Sequence, residues 1–305
     1  MNHTENILVT GASGVVGKAL QRFNKEHIYV TSADADLTDY DATLRLFEKH
    51  KPRSVIHLAA LSGGIQLSRE KPADLFTVNI MMAINIFKAA RSFGITRIGF
   101  ALSGAAYGQS TYALAREIEL HNSPILEEDF AYGYSKRGIE IMVQAMNKQY
   151  EMNSYSFVIN GALGIDMNFN PNKSIVVASL IRRIYESRKD KKEILVWGDG
   201  SPKRQYTWAE DLGRNIFWCH EKQSPGTVFN IGTNEVITIK ELAVIICQEF
   251  GVDPNRLMYD VSKGSGKSAQ LTDNSEFTKL SGFSFMPLRV AIKKICSEVN
   301  NHTFI

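Results

Sequence analysis

The run Ile7-Leu8-Val9-Thr10, followed at once by Gly-Ala-Ser-Gly-Val-Val-Gly, constrains this 305-residue chain more than any other stretch. A short apolar, β-rich run, a glycine-rich turn and an amphipathic segment from Lys18 to Phe23 read as strand, turn and helix. Gly11, Gly14 and Gly17 then have separate jobs. The first allows a tight turn. The second lets backbone N–H groups approach a pyrophosphate at the positive end of a helix. The third lets helix and strand pack closely. Ser13, Val15 and Val16 fall where such a ligand would lie. The bland alternative is a plain strand-to-helix turn. The rest of the chain has to decide between them.

A second strand follows at His27 to Thr31. In dinucleotide-binding folds the residues at its end face the adenosine ribose. An acid there suits a free 2′-hydroxyl, and an arginine suits a 2′-phosphate. Here the end reads Thr31-Ser32-Ala33-Asp34, with Thr31, Ser32 and Ser13 as hydroxyl donors and Asp34 read as too late to reach the ribose. NAD against NADP stays open. Asp36 and Leu37 are assigned to the same cofactor side. Ser54 to Ala60 reads as a buried parallel strand running into a small-residue loop, where Leu58, Ala59 and Ala60 suit close approach to a cofactor. His57 within it reads as a packed core residue. A helix over Ala73 to Phe93 and a strand from Arg97 to Leu102 bring the chain to Ser103.

This alternation predicts an α/β protein: a Rossmann-type doubly wound parallel sheet with a smaller α/β substrate-binding lobe. Ligands of such sheets bind beyond the carboxyl ends of the strands, so the Ser103 hydroxyl reads as functional. The rhythm breaks after a strand at Ser154 to Ile159. The expected division is residues 1–165 plus about 206–232 for the dinucleotide, with 166–205 and 233–305 forming the second lobe from two interleaved pieces.

Phe130 to Lys136 reads FAYGYSK and opens a helix running to about Tyr150. Tyr132 and Lys136 stand four apart and share a helix face. An ammonium beside a phenol would favour phenolate and pull the tyrosine down toward working pH. Alone, the spacing describes any solvated helix face; with Ser103 and the glycine loop it describes a hydride-transfer site. The charge, +3 from 35 basic and 32 acidic residues, argues for neither nucleic acid nor membrane as partner. Cys219, Cys247 and Cys296 are widely spaced, without a CxxC, and read as buried thiols of a cytoplasmic protein; no metal site is expected. Lys263 to Ser268, KGSGKS, mimics a P-loop. That motif needs a glycine where Val261 stands, so the segment reads as a basic loop.

Taken in order, Gly11-xx-Gly14-xx-Gly17, Ser103-xxx-Tyr107 and Tyr132-xxx-Lys136 resemble the extended short-chain dehydrogenase/reductase family, also described as NAD-dependent epimerases/dehydratases. Gly63-Gly64-Ile65, Asn168-Phe169-x-Pro171, Leu180-Ile181-Arg182-Arg183 and Val196-Trp197-Gly198-x-Gly200-x-Pro202-x-Arg204 narrow the resemblance to its nucleotide-sugar branch, which includes the GDP-L-fucose synthases. The resemblance implies that Tyr132 is the general acid at the sugar C4 oxygen, that Lys136 holds the nicotinamide ribose, and that Ser103 orients the carbonyl. It assigns Gly64, Asn160, Asn168, Arg183, Trp197, Arg204 and Lys263 to the substrate, the arginines gripping the diphosphate. Trp197 lines the base pocket or else sits in the core.

The departures sharpen the expectation. Fucose synthases also epimerise C3 and C5, using a Cys two residues before the SxxxY tyrosine and a His after the NF-P loop. Those positions hold Ala105 and Ile175, which carry no proton. The expectation is therefore a C4-ketoreductase of a GDP-linked 4-keto-6-deoxy-sugar or heptose, with an upstream epimerase or oxidase in a bacterial capsule or lipopolysaccharide pathway. The branch's NADP-contacting arginines are missing too. Net reduction still favours NADP(H), with NAD(H) open. A homodimer through the two long helices follows by analogy. The alternatives are a bifunctional epimerase/reductase, an NAD-retaining 4-epimerase, and a non-catalytic dinucleotide-binding protein.

Overall fold

The structure, a computed structural model, describes residues 6–63, 65–108, 113–170, 174–189, 192–263 and 270–301. β1 (Ile7–Thr10) enters α1 (Val15–Phe23), β2 (Ile28–Val30) leads to α2 (Tyr40–His50), and β3 (Ser54–His57) leads to α3 (Ile65–Glu70) and α4 (Pro72–Ser92). β4 (Arg97–Ser103), α5 (Phe130–Tyr150) and β5 (Asn153–Ile159) continue the alternation. Then come β6 (Ala162–Leu163), α6 (Val176–Glu186), β7 (Ile194–Trp197), β8 (Lys203–Arg204), β9 (Thr207–Trp208), α7 (Ala209–Lys222) and β10 (Val228–Ile231). β11 (Ile237–Thr238), α8 (Ile239–Phe250), β12 (Leu257–Asp260), α9 (Ser275–Ser281) and α10 (Leu288–Asn301) follow.

Six strands form one sheet in the order β10-β5-β4-β3-β1-β2, every pairing parallel. The strands are buried on both faces, which is why they read as unbroken apolar runs. Alternate residues feed two cores. Leu8, Val55, Ile98, Phe100 and Val158 pack with α2, α4 and α5 on one face. Val9, Ile56, Ala101, Phe157 and Ile231 pack with Leu20 of α1 and Leu212 and Ile216 of α7 on the other. A third core joins α6, α8 and α10 to the parallel pair β7–β12 and to Leu163, Tyr206 and Trp208.

Helix ends follow local chemistry. The Asp39 side chain accepts from the Asp41 and Ala42 amides at the start of α2. Thr238 and Glu241 cap α8 reciprocally, satisfying amides the helix cannot reach. α4 is long and apolar enough, by length and composition, to cross a bilayer, yet half of it is buried inside the protein.

The chain leaves β1 for β2 on one side and returns to place β3 on the other. β1 and β3 therefore flank the topological switch point, where a crevice opens beyond the strand ends.

Candidate active site

The glycine loop stands at that crevice. Gly11 has φ +74°, and a Cβ there would meet the Ala59 amide at 2.6 Å. The loop thus lies directly against the end of β3. A Cβ on Gly17 would meet the Gly11 carbonyl at 2.4 Å, so α1 can start this close to β1 only with glycine. Ser13 and Gly14 are exposed at the N-terminus of α1, while Val15 and Val16 turn partly inward. Ala59 donates to the Thr10 hydroxyl at 3.2 Å, and that hydroxyl also meets His57 Nδ1 at 2.8 Å. Leu58, Ala59 and Ala60 are half-buried along the crevice. His57 is the core residue expected, 2 % exposed, and burial pushes its imidazole down to about 3. A cradle of bare backbone beside small residues fits a dinucleotide pyrophosphate.

At the adenosine end, Thr31 is half-exposed and Ser32 exposed, but the Thr31 amide and hydroxyl both donate to Asp34 Oδ2, at 2.7 and 2.9 Å. Asp34, read from the sequence as too late, thus folds back onto the end of β2. The Asp36 carboxylate accepts from the Thr38 amide and hydroxyl, and Leu37 is buried.

Ser103 ends β4, and Tyr132 and Lys136 approach it from the first turns of α5. The Ser103 hydroxyl is hydrogen-bonded to the Tyr132 phenol. Lys136, 3 % exposed, donates from Nζ to the Ala101 carbonyl at 2.9 Å, and its ammonium lies 5.7 Å from the centre of the Tyr132 ring. Burial pulls Lys136 down to about 8. The expected lowering of Tyr132 does not occur. Burial raises the phenol to about 12 against the opposing Ser103 hydrogen bond, and the nearby Asp129 charge adds to the rise. Lys136 is turned to a backbone carbonyl, so desolvation outweighs its charge at the phenol. The side chain is accordingly a proton donor, not a phenolate, at neutral pH.

Asp129 escaped the sequence reading. It stands three residues before Tyr132 at the mouth of α5, raised by burial and by Glu128, with Arg204 opposing. Its acidic position ahead of the FAYGYSK helix was the available signal. Arg204 on β8 thus lies within electrostatic reach of Asp129 at the start of α5. Asn160 follows the end of β5, where a Cβ on Gly104 would meet its Oδ1 at 3.2 Å, and it donates to Gln205 Oε1 at 2.6 Å. Its amide is engaged in joining the segment around Thr272 to the sheet.

Arg183 and Trp197 come together on α6 and β7. The Arg183 guanidinium lies 5.1 Å over the Trp197 ring and donates to the Leu195 carbonyl. Trp197 is 58 % exposed, which removes the core alternative. Asn168 is exposed, with its side chain accepting from the Asn170 amide. Lys263 closes a 3-10 turn after β12. Gly64 lies outside the described residues.

Comparison with known proteins agrees with this geometry. The profile of the NAD dependent epimerase/dehydratase family matches residues 7–232. A GDP-L-fucose synthase of Dictyostelium discoideum is 29% identical over 301 residues, covering 95% of this chain and 93% of that protein. The crystal structure of a GDP-L-fucose synthetase from Naegleria fowleri bound to NADP is 26% identical with a TM-score of 0.87, covering 99% and 94% of the two chains. A GDP-mannoheptose C4 reductase from Campylobacter jejuni with NADP bound shares the fold at 22% identity, TM-score 0.85, over 98% and 99% of the chains. With the glycine cradle at the switch point and the Ser103–Tyr132–Lys136 cluster beside it, the chain belongs to the NAD-dependent epimerase/dehydratase family.

Proposed function

We propose that this protein reduces the C4 ketone of a GDP-linked 4-keto-6-deoxy-sugar or heptose and does not epimerise C3 or C5. The observation that carries the second half is what stands at the two epimerase positions. Ala105 sits in a 3-10 turn, its amide donating to the Ser103 hydroxyl and its carbonyl pressed against Gly133. Ile175 precedes α6, exposed. Neither can take a proton from carbon.

The reduced dinucleotide, when bound, supplies the hydride. Gly11, Ser13 and Gly14 would hold its pyrophosphate, with Leu58 to Ala60 along its other side. Ser103 would hydrogen-bond the ketone oxygen and fix its orientation. Tyr132, kept protonated by burial, would give its proton to that oxygen as charge develops there. Lys136 would hold the nicotinamide ribose. Arg204 and Arg183 would bind the diphosphate, where a guanidinium suits two oxygens at once. Trp197 would stack on the base. The expectation of NADPH rests on the net direction of the reaction.

A homodimer through α4 and α5 is supported by an apolar groove of about 700 Å³ between them, walled by Phe76, Phe130, Tyr134 and Ile141. Phe130 and Ile141 are 60 % and 56 % exposed in the single chain.

Incubation with a GDP-4-keto-6-deoxyhexose in deuterated water tests the reading. One dinucleotide should be oxidised per ketone, with deuterium absent from C3 and C5. Tyr132→Phe should lower kcat by roughly 10²–10⁴-fold while dinucleotide binding persists. Deuterium at either carbon, or undiminished turnover by Tyr132→Phe, would reject it.

A further inference from the structure

We propose, building on the reading of Ser103 as the group that orients the ketone, that Arg137 is a positioning residue whose guanidinium fixes the turn that aims the Ser103 hydroxyl. Arg137 follows Lys136 directly on α5, and the two side chains grip the chain on either side of Ser103. Lys136 holds the Ala101 carbonyl, within β4. Arg137 holds the Ala106 carbonyl, beyond the end of the strand, from Nε at 3.0 Å and from Nη2 at 2.8 Å.

Between these two anchors β4 ends and the 3-10 turn Gly104–Ala106 begins. The Ala105 amide of that turn donates to the Ser103 hydroxyl at 3.3 Å, and the same hydroxyl is bonded to the Tyr132 phenol. A donor already on its oxygen turns the serine hydrogen outward, and bonds in such a chain polarise one another. The amide keeps this aim only while the turn keeps its place. Gly133 lets the turn approach α5 closely, since a Cβ there would meet the Ala105 carbonyl at 2.3 Å. That contact limits approach from one side. The Arg137 bonds stop the turn from lifting away on the other.

Packing alone does not call for a charge here. Arg137 is 7 % exposed, and among the described residues it is paired with no carboxylate. Its partners are the Ala106 carbonyl, the Ser123 carbonyl reached from Nη1 at 2.8 Å, and the Tyr134 ring, 5.6 Å from the guanidinium. A cation buried among neutral groups is costly. Its shape accounts for its presence: the flat fork offers two N–H groups to one carbonyl and a third to another, which an ammonium cannot do in one plane. Ala106 and Ser123 lie on the outgoing and returning limbs of the connection from β4 to α5, so one rigid group sets both.

The test compares Arg137→Ala and Arg137→Lys with wild type on a GDP-4-keto-6-deoxyhexose. Arg137→Ala should lower kcat by about 10–10²-fold, the scale of a misplaced orienting group, and Arg137→Lys should recover little of it. Dinucleotide affinity by calorimetry should stay as in wild type. So should the mass by light scattering, which matters because Arg137 also lines the α4–α5 groove. Millimolar guanidinium should restore turnover to Arg137→Ala, as it would not for a packing defect. A readout free of turnover is the Ala105 amide in ¹⁵N-alanine-labelled protein, whose resonance should move in both variants. An unmoved Ala105 amide, a kcat retained by Arg137→Ala, or a kcat lost only together with dinucleotide binding or assembly would overturn the inference. A wild-type protein that leaves the ketone untouched, beside a moved Ala105 amide, would instead reject the ketoreductase reading and keep the role of Arg137 at the turn.

Discussion

Two side chains four residues apart divide the proton chemistry between them. Tyr132 is raised to about 12 and Lys136 lowered to about 8, both by burial. The tyrosine therefore stays an acid throughout the range in which the protein works. It is the lysine that titrates. With the ammonium holding the ribose, kcat/KM should fall as pH rises through about 8, following one deprotonation of the free enzyme. Lys136→Arg, which keeps its charge at every working pH, should remove that break; persistence of the break would mean another group titrates. The sign for stability is opposite. The folded-state value lies below the unfolded one, so over the interval from about 8 to the ordinary lysine value the unfolded chain holds more protons. Lys136 then makes the folded protein more stable as pH rises through that interval. Activity and stability should separate there, visible as falling turnover beside a rising Tm until Tyr132 begins to oppose it above pH 10.

Elements differ in how far their own residues define them. α8 begins with a reciprocal cap between Thr238 and Glu241, in which the Thr238 hydroxyl accepts from the Glu241 amide at 3.1 Å. Thr238→Ala should cost about 1 kcal/mol and lower Tm by about 2–4 °C in a thermal melt; no loss would mean water replaces the cap fully. Such local signals made much of the fold legible. The runs at Ile7, Val55 and Arg97 are apolar because both sheet faces are covered, and α5 begins where FAYGYSK begins. The two-residue strands β6, β8, β9 and β11 were not legible, because each exists only through a distant partner, as Ala162 with Thr207 and Ile237 with Arg204. The pairing of β12 with β7 was missed for the same reason, and the helices α9 and α10 were not read. At the site, spacing found Ser103, Tyr132 and Lys136, but it misjudged the phenol, since helix periodicity carries no information on desolvation. Asp34, read as too late to reach the ribose, accepts from the Thr31 amide and hydroxyl, a turn contact that residue spacing alone does not show.

For the molecule as a whole, the apolar α4–α5 groove is what supports the proposed homodimer. Ile141→Glu places a charge on that face without touching Tyr132 or the glycine loop. It should convert a dimer to a monomer by light scattering, and a wild-type protein that is monomeric at micromolar concentration would contradict the assembly. The order of the large sheet has a consequence for synthesis. β5 reaches its outer neighbour, β10, only after Gly161 through Thr227 have been made, and that stretch includes much of the third core. A nascent chain leaving the ribosome therefore carries β5 as an open sheet edge for several seconds, at about 5–20 residues per second. During that interval its unpaired amides and carbonyls can recruit the same strand of a neighbouring nascent chain. Yield on overexpression should thus be set by how fast residues 161–231 are translated, and slower elongation there should send more of the protein to inclusion bodies.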